Sequence, residues 1–226
     1  MDAYIFVSDL FMANADASYA LAMARYMKNK FDFYGVNATQ RKEIFLAYKA
    51  NFKLQVDDNE FWELIEKLWD DSHRECQYLA IDILRNVSKK LTSAHLPNLE
   101  NLIVYKSWWD SVDGIAPSLV GPILLKESAL IPNYIHKWID SDNMWLQRSA
   151  IIFQLKYKEK TDWDLLCRAI LAHGTSKEFF IRKAQGWALR QYADLNPTRV
   201  YEFILANPQL SGLTKKEALR KLKLDI

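Results

Sequence analysis

Apolar residues recur at helical spacing along nearly the whole chain. Clear series are Phe61, Leu64, Ile65 and Leu68, then Leu79, Ile83 and Val87, then Ile151, Ile152 and Leu155. Spacings of three and four residues place such side chains on one face of an α-helix. Strand-like alternation is nearly absent, and the short run of residues with β-strand propensity at 102–105 is flanked by helix formers. The pattern therefore predicts an all-α protein of roughly a dozen helices.

Helix-breaking residues divide this pattern into segments of similar length. The predicted breaks lie at 37–39, 70–72, Pro97, Pro132, 141–143, 174–176, Pro197 and 207–208. Segments 145–155 and 179–189 align without a gap at an offset of 34 residues, with matching aromatic, Arg, Ala and Leu positions. Segment 74–84 is a third copy with a weaker match, and the segment around Trp108 is a fourth copy that matches in position more than in sequence. Helix pairs at such intervals indicate HEAT or armadillo hairpins stacked into a right-handed α–α superhelix, or solenoid.

Composition supports one folded domain over residues 1–226. Half of the 226 residues are hydrophobic, and six Gly and six Pro without a Ser-Gly-Pro run leave little room for a flexible linker. Cys76 and Cys167 lack disulfide or metal spacing, which favours a reducing compartment. No signal peptide and no window of about 18 apolar residues is found. We therefore expect a cytoplasmic protein that is not associated with a membrane. We also expect it to be a monomer.

Charge is distributed unevenly along the chain. Residues 1–136 carry 14 Lys and Arg against 18 Asp and Glu, a net charge of −4, whereas residues 137–226 carry 16 against 10, a net charge of +6. The basic second part is compatible with a polyanionic partner such as a nucleic acid. The exposed faces of ordinary helices have a similar composition, so charge alone does not identify the partner.

The strongest candidate for chemistry is the string Ser107-Trp-Trp-Asp-Ser-Val-Asp113. Trp109 and Asp113 are four residues apart, so a helix places the indole and the carboxylate on one face. The ring can stabilise a developing cation by about 0.5 to 2 kcal/mol. A carboxylate about 4 Å away adds roughly 4 kcal/mol at an effective dielectric near 20. If Arg148 and Trp187 face the same space, the site gains a phosphate-binding cation and a second aromatic surface.

Structural explanations apply to the same residues. Adjacent tryptophans are more often packing residues than catalytic ones. Arg148 would serve equally well as a structural partner of Asp113, because a buried carboxylate requires one. Trp187 follows Gly186, and a glycine inside a helix costs about 1 kcal/mol relative to alanine, which suggests a close backbone contact. At this point the catalytic and the structural interpretations are both open.

Other common chemistries have no support in the sequence. The four histidines stand apart from each other and from both cysteines, so we expect no metal site. The chain has no GxSxG, Walker or GxGxxG motif, and we expect no cofactor. The acidic pairs at 57–58 and 70–71 lie at predicted helix starts, where capping explains them.

Short sequence segments along nearly the whole chain resemble those of one protein family. They are residues 23–30, 33–35, 68–70, Arg74, Glu75, Gln77, 106–113, 141–150, 153–158, 176–180, Gly186, Trp187, Leu189 and Arg190. Together they closely resemble the DNA alkylation repair glycosylases of the AlkD type, which consist of HEAT-like repeats. Trp-Trp-Asp-Ser-Val-Asp followed by Trp-Leu-Gln-Arg is the most specific part of this match.

The resemblance implies a DNA glycosylase of base excision repair. Such an enzyme removes cationic N3- and N7-alkylated purines, such as 3-methyladenine and 7-methylguanine, from duplex DNA by hydrolysing the N-glycosidic bond. Asp113 would stabilise the oxocarbenium-like sugar and position the attacking water. Trp109 and Trp187 would pack against the deoxyribose of the lesion, and Arg148 would hold the phosphate beside it.

The resemblance also assigns contacts with the DNA backbone and the minor groove. Arg25, Tyr26 and Lys28 would approach the duplex through the minor groove, and Arg190 would contact the backbone. Residues 35–40 depart from the family's usual Gly-x-x-Thr-Pro pattern, and no basic residue precedes Arg25. The alternatives are a DNA-binding or scaffold solenoid without catalytic activity and a peptide-binding HEAT-repeat protein.

Overall fold

The structure is a computed structural model that describes residues 2–53 and 55–221. These residues form helices and connecting turns, and among them the isolated bridge between Asp32 and His73 is the nearest approach to a β-strand. The predicted all-α fold is confirmed. The chain divides into two compact units, Met1–Leu91 and Thr92–Ile226, and each is described by itself. The single domain over 1–226 stays a prediction.

Unit 1 contains the first helices of the chain. They are α1 (Ala3–Ala13), α2 (Ala17–Tyr26), α3 (Ala38–Asn51), α4 (Asn59–Asp70) and α5 (Arg74–Asn86). Helix α4 packs on α5, and α1 and α3 pack beside them, so that the predicted series Phe61, Leu64, Ile65 and Leu68 is buried in the core. Every residue of α2 is described and none is buried, so this helix lies on the surface of its unit.

A buried carboxylate holds the turn between α2 and α3. Glu75 is fully buried, and it accepts hydrogen bonds from the backbone N–H groups of residues 34, 35 and 36 at 3.2, 2.9 and 3.0 Å. Gly35 has φ +87°, and a Cβ there would lie 2.0 Å from the carbonyl oxygen of Asp16. The turn therefore requires glycine.

Unit 2 contains the remaining helices. They are α6 (Leu96–Val104), α7 (Trp109–Ile115), α8 (Gly121–Lys126), α9 (Lys137–Ile139), α10 (Met144–Ile152), α11 (Trp163–Ala172), α12 (Phe179–Ala193), α13 (Pro197–Ala206) and α14 (Gly212–Leu219). The π-helical turn Ala116–Val120 joins α7 to α8 and contains Pro117, whose missing N–H disturbs regular α-helical hydrogen bonding. Helix α10 packs against α7 and α12, and α12 packs extensively on α14.

The helix starts reveal the repeat length. Helices α5, α7, α10 and α12 begin at residues 74, 109, 144 and 179, which are 35 residues apart. The fourth residue of three of these helices donates to the carbonyl six residues before it: Gln77 to Asp71 at 2.9 Å, Gln147 to Ser141 at 2.6 Å and Arg182 to Ser176 at 2.7 Å. The offset of 34 inferred from residue identities is therefore wrong by one position. Arg148 is equivalent to Lys183, and Trp145 to Phe180.

The apolar stretches do not form a simple membrane span. No single helix in the described part of the chain is long and apolar enough to cross a bilayer. The stretches Trp109–Lys126 and Ser128–Ile139 reach that apolar length only together, and a bend of 110° separates them.

Candidate functional site

Helix α7 presents the predicted pair of an indole and a carboxylate. Trp109 and Asp113 are its first and fifth residues, so they share one face, and both side chains are half-buried. The hydroxyl of Ser111 donates to the carbonyl of Trp108 at 3.1 Å, and that of Ser107 donates to the carbonyl of Ile103 at 2.7 Å. These local bonds hold the chain as it enters α7.

Asp113 forms a bidentate ion pair with Arg148 of the next repeat. Arg148 Nε donates to Asp113 Oδ1 at 2.8 Å, and Nη2 donates to Oδ2 at 2.7 Å. Arg148 Nη1 also donates to the main-chain carbonyl of Phe180 at the start of α12. The guanidinium therefore links three consecutive repeats, and the bidentate geometry holds the carboxylate in one orientation.

The two partners differ in their access to solvent. The side chain of Arg148 is 5% exposed and that of Asp113 is 18% exposed, so the carboxylate is the more accessible member of the pair. Burial raises the pKa of Asp113 above its ordinary value because it disfavours the charged form, and the bonds from Arg148 oppose this shift. The expected convergence of Asp113 and Arg148 is confirmed, and so is the ion pair that the structural interpretation required.

An aromatic cluster lies beside this pair. The ring centroid of Trp145 is 5.7 Å from that of Trp108 and 5.2 Å from that of Phe180, and the Trp108 and Phe180 rings meet edge-on at 4.9 Å. Phe179 contacts Phe180 and is exposed. The sequence alignment matched Trp145 with Phe179 and so missed Phe180, which the repeat of 35 residues would have identified.

Trp187 and Arg190 lie on α12. Trp187 is half-buried. A Cβ on its neighbour Gly186 would lie 2.4 Å from Cβ of Glu217 and 2.8 Å from the carbonyl oxygen of Thr214, which confirms the close backbone contact expected there. Arg190 pairs with the carboxylate of Glu217 and also donates to its main-chain carbonyl at 3.1 Å. The convergence of Trp187 with Asp113 stays a prediction.

The remaining candidates lie in unit 1. Arg25, Tyr26 and Lys28 are exposed, and Tyr26 is exposed over 70% of its surface. Arg25 and Tyr26 end helix α2, and Lys28 and Asn29 both have positive φ values, so the chain turns sharply after them. The three side chains are accessible for a ligand, and their role in the minor groove stays a prediction.

The described residues give no indication of a metal centre. No group of three or more His, Cys, Asp and Glu side chains among them is arranged to hold a metal ion.

The sequence comparison decides the family. A model of the family described as DNA alkylation repair enzymes matches residues 7–222. The chain belongs to the DNA alkylation repair enzyme family. Membership implies an enzyme that repairs alkylation damage, with DNA as its substrate, and it confirms the resemblance inferred from the sequence.

A solved structure supports this assignment. A protein from Enterococcus faecalis, described as a predicted DNA alkylation repair enzyme, is 31% identical to this chain. The two structures align with a TM-score of 0.83 over 93% of this chain and 97% of the other. No curated protein matches the chain significantly. The DNA alkylation repair family thus accounts for both the sequence and the fold.

Proposed function

We propose that the protein is a DNA glycosylase that excises cationic N3- and N7-alkylated purines from duplex DNA. The observation that carries the proposal is the ion pair between Asp113 and Arg148, in which a partly accessible carboxylate is held in one orientation beside Trp109. Release of the damaged purine is one way to repair alkylated DNA, and this carboxylate is suited to the sugar from which the purine departs.

The reaction breaks the bond between C1′ of deoxyribose and the purine nitrogen. The sugar acquires positive charge in the transition state, and Asp113 stabilises it and directs water to C1′. A carboxylate about 4 Å away is worth roughly 4 kcal/mol at an effective dielectric near 20. Aromatic contacts from Trp109 and Trp187 add up to about 2 kcal/mol. Together these contributions correspond to an acceleration of about 10⁴-fold.

This acceleration determines which lesions are excised. A cationic alkylpurine already has a weakened glycosidic bond and leaves as a neutral base without being protonated. A neutral base such as uracil or hypoxanthine needs a general acid near the leaving group. Residues 106–113 and 141–150, which carry the family motifs, contain no His or Glu. We therefore infer selectivity for cationic lesions such as 3-methyladenine and 7-methylguanine.

Arg148 has a positioning role in this proposal. Asp113 and Phe180 take up three of its five N–H groups, which leaves at most two for a DNA phosphate. Its charge also favours the ionised form of Asp113, which the reaction requires. We infer that Arg148 orients the carboxylate first and contacts the flanking phosphate through its remaining donors.

Binding to the duplex is inferred to be mainly electrostatic. Residues 137–226 have a net charge of +6, and contacts between basic side chains and phosphates release counterions. Affinity should therefore fall steeply with salt and depend little on sequence. The exposed side chains of Arg25, Tyr26 and Lys28 are suited to a second contact, in the minor groove.

One observation favours a second candidate function. The donors of Arg148 are largely satisfied within the protein, as expected of a structural ion pair in a DNA-binding protein without catalytic activity. Such a protein would bind the duplex without changing it.

Release of free base separates the two functions. The protein is incubated with one duplex that contains 7-methylguanine and with a matched duplex that contains uracil, and free bases are quantified by chromatography. We expect 7-methylguanine to be released faster than in the absence of protein, and uracil not to be released. Binding to both duplexes without release of either base would favour the protein without catalytic activity.

A further inference from the structure

Glu217 on α14 bridges two cations on α12. Its Oε1 lies 2.7 Å from Lys183 Nζ, and its Oε2 accepts from Arg190 Nη1. The side chains of Lys183, Arg190 and Glu217 are 36%, 19% and 12% exposed, so the cluster is accessible mainly through the lysine. The two cations lower the pKa of Glu217 to about 2, so the carboxylate stays charged when it is bound to them.

The packing of α12 against α14 determines where Glu217 lies. Gly186 lets the backbones approach closely, and Cβ of Glu217 occupies the space that a side chain at residue 186 would fill. Beside this contact, the hydroxyl of the buried Thr214 donates to Gln185 Oε1 at 2.9 Å. The carboxylate is therefore supplied by a well-packed helix crossing and is not a chance surface contact.

Lys183, Trp187 and Arg190 share one face of α12. They are separated by four and three residues, so they follow one another along that face. Lys183 also occupies the position in its repeat that Arg148 occupies in the preceding one, 35 residues earlier. Lys183 and Arg190 therefore flank the indole that is proposed to pack against deoxyribose, and together with Glu217 they have a net charge of +1.

We propose that Lys183 binds the DNA backbone together with Arg190, and that Glu217 occupies the place of the phosphate until DNA displaces it. The inference rests on the proposed function, since it requires that this face of α12 meets the duplex. Carboxylate and phosphate oxygens accept the same charge-assisted hydrogen bonds from Lys and Arg, so one can replace the other. Glu217 thereby weakens binding and helps the enzyme to leave the DNA.

The test is the salt dependence of binding by Glu217→Gln. Glutamine keeps the shape of the side chain and removes the competing charge. We expect tighter binding to an undamaged duplex, by about threefold at low salt, and a steeper loss of affinity as salt rises, by about one additional phosphate contact. Glu202→Gln, on the exposed surface of α13, removes the same charge elsewhere and should change neither quantity.

Lys183→Gln tests the second half of the inference. It leaves the contact between Arg190 and Glu217 in place, so it remains informative if Glu217→Gln fails to fold. We expect weaker binding by about threefold between 50 and 200 mM salt, and a shallower salt dependence. In the double variant, Lys183→Gln should remove most of the gain in DNA affinity that Glu217→Gln produces alone.

Three results would overturn the inference. They are unchanged or weaker binding by a folded Glu217→Gln protein, unchanged binding by Lys183→Gln, and an equal gain from Glu202→Gln. Release of 7-methylguanine by the wild-type protein is measured in the same series. If wild type excises the base and Glu217→Gln binds no more tightly, only this inference fails. If wild type binds no DNA, the proposed function fails as well.

Discussion

Each unit buries a carboxylate in the first two turns of a helix, and the two are held by different kinds of donor. Glu75 in unit 1 is fully buried and accepts three backbone N–H groups from the turn at residues 34–36. Asp113 in unit 2 is 18% exposed and accepts two N–H groups from the side chain of Arg148. Both carboxylates have the partners that a buried charge needs, but only Asp113 is accessible to solvent.

The difference separates a structural carboxylate from one that is available for chemistry. The donors around Glu75 belong to a turn whose shape depends on Gly35, so they cannot move without unfolding the turn. Arg148 is a side chain, and it favours the charged form of Asp113 and orients it while leaving part of it accessible. Burial alone therefore does not distinguish Asp113, the carboxylate proposed to be reactive, from Glu75, whereas the type of donor and the access to solvent do.

Replacement of Arg148 by alanine should have the largest effect. Asp113 would lose its bidentate partner, and breaking a buried ion pair costs about 3 to 5 kcal/mol of folding stability. Burial would then raise the pKa of Asp113 further, so we expect excision to fall by about 10³-fold, with weaker DNA binding. Arg148→Lys keeps the charge without the two parallel bonds, so its excision rate should lie between those of wild type and Arg148→Ala. Wild-type excision by a folded Arg148→Ala protein would contradict the role assigned to this residue.

Replacement of Glu75 by glutamine should act on stability and not on chemistry. Glutamine offers one acceptor oxygen where the carboxylate offered two, and its amide group would face a backbone N–H. Loss of a charged hydrogen bond costs about 1.5 to 3 kcal/mol, which we expect as a lower free energy of unfolding in urea. The excision rate per folded molecule should stay at the wild-type value. A loss of excision without a loss of stability would show that Glu75 is not purely structural.

The pH dependence of excision should report on Asp113. Burial raises its pKa, and the reaction needs the ionised form, so excision should be lost as pH falls through a value above the ordinary aspartate pKa of about 3.9. The effect on stability has the opposite sign, because a raised pKa in the folded state favours folding at low pH and this contribution disappears as pH rises. Single-turnover excision rates, corrected for spontaneous base loss, should fall over the same range of low pH in Glu75→Gln as in wild type. A loss of excision only at or below the ordinary value would mean that the bonds from Arg148 outweigh the effect of burial on the pKa of Asp113.

The positions of side chains on one helix could be predicted from the sequence, whereas the equivalence of residues in adjacent repeats could not. Spacing alone placed Trp109 and Asp113 on one face, and glycine inside a helix indicated the close contact at Gly186. For Arg148, the sequence left open whether it pairs with Asp113 as a structural partner or binds phosphate. Residue identities suggested an offset of 34, since Arg148 and Arg182 look alike, while the helix starts show 35.

Two further contacts depended on distant segments that local patterns do not connect. Glu75 bonds to backbone N–H groups about 40 residues earlier in the chain, and backbone donors leave no trace in side-chain patterns. The pairing of Arg190 with Glu217 follows from the way α14 crosses α12. The family resemblance thus implied that Arg190 contacts the DNA backbone, but it did not indicate the carboxylate of Glu217 that Arg190 binds within the protein.

The most direct test of the central claim is to measure excision and binding together in Asp113→Asn. Asparagine is close to the aspartate in size and can still accept a bond from Arg148, but it lacks the charge that stabilises the sugar cation. A loss of roughly 4 kcal/mol in the transition state corresponds to single-turnover excision of 7-methylguanine about 10³-fold slower than wild type. Affinity for the same duplex should be unchanged, because the carboxylate acts only once positive charge develops. Equal losses of binding and excision, or excision at the wild-type rate, would contradict the account.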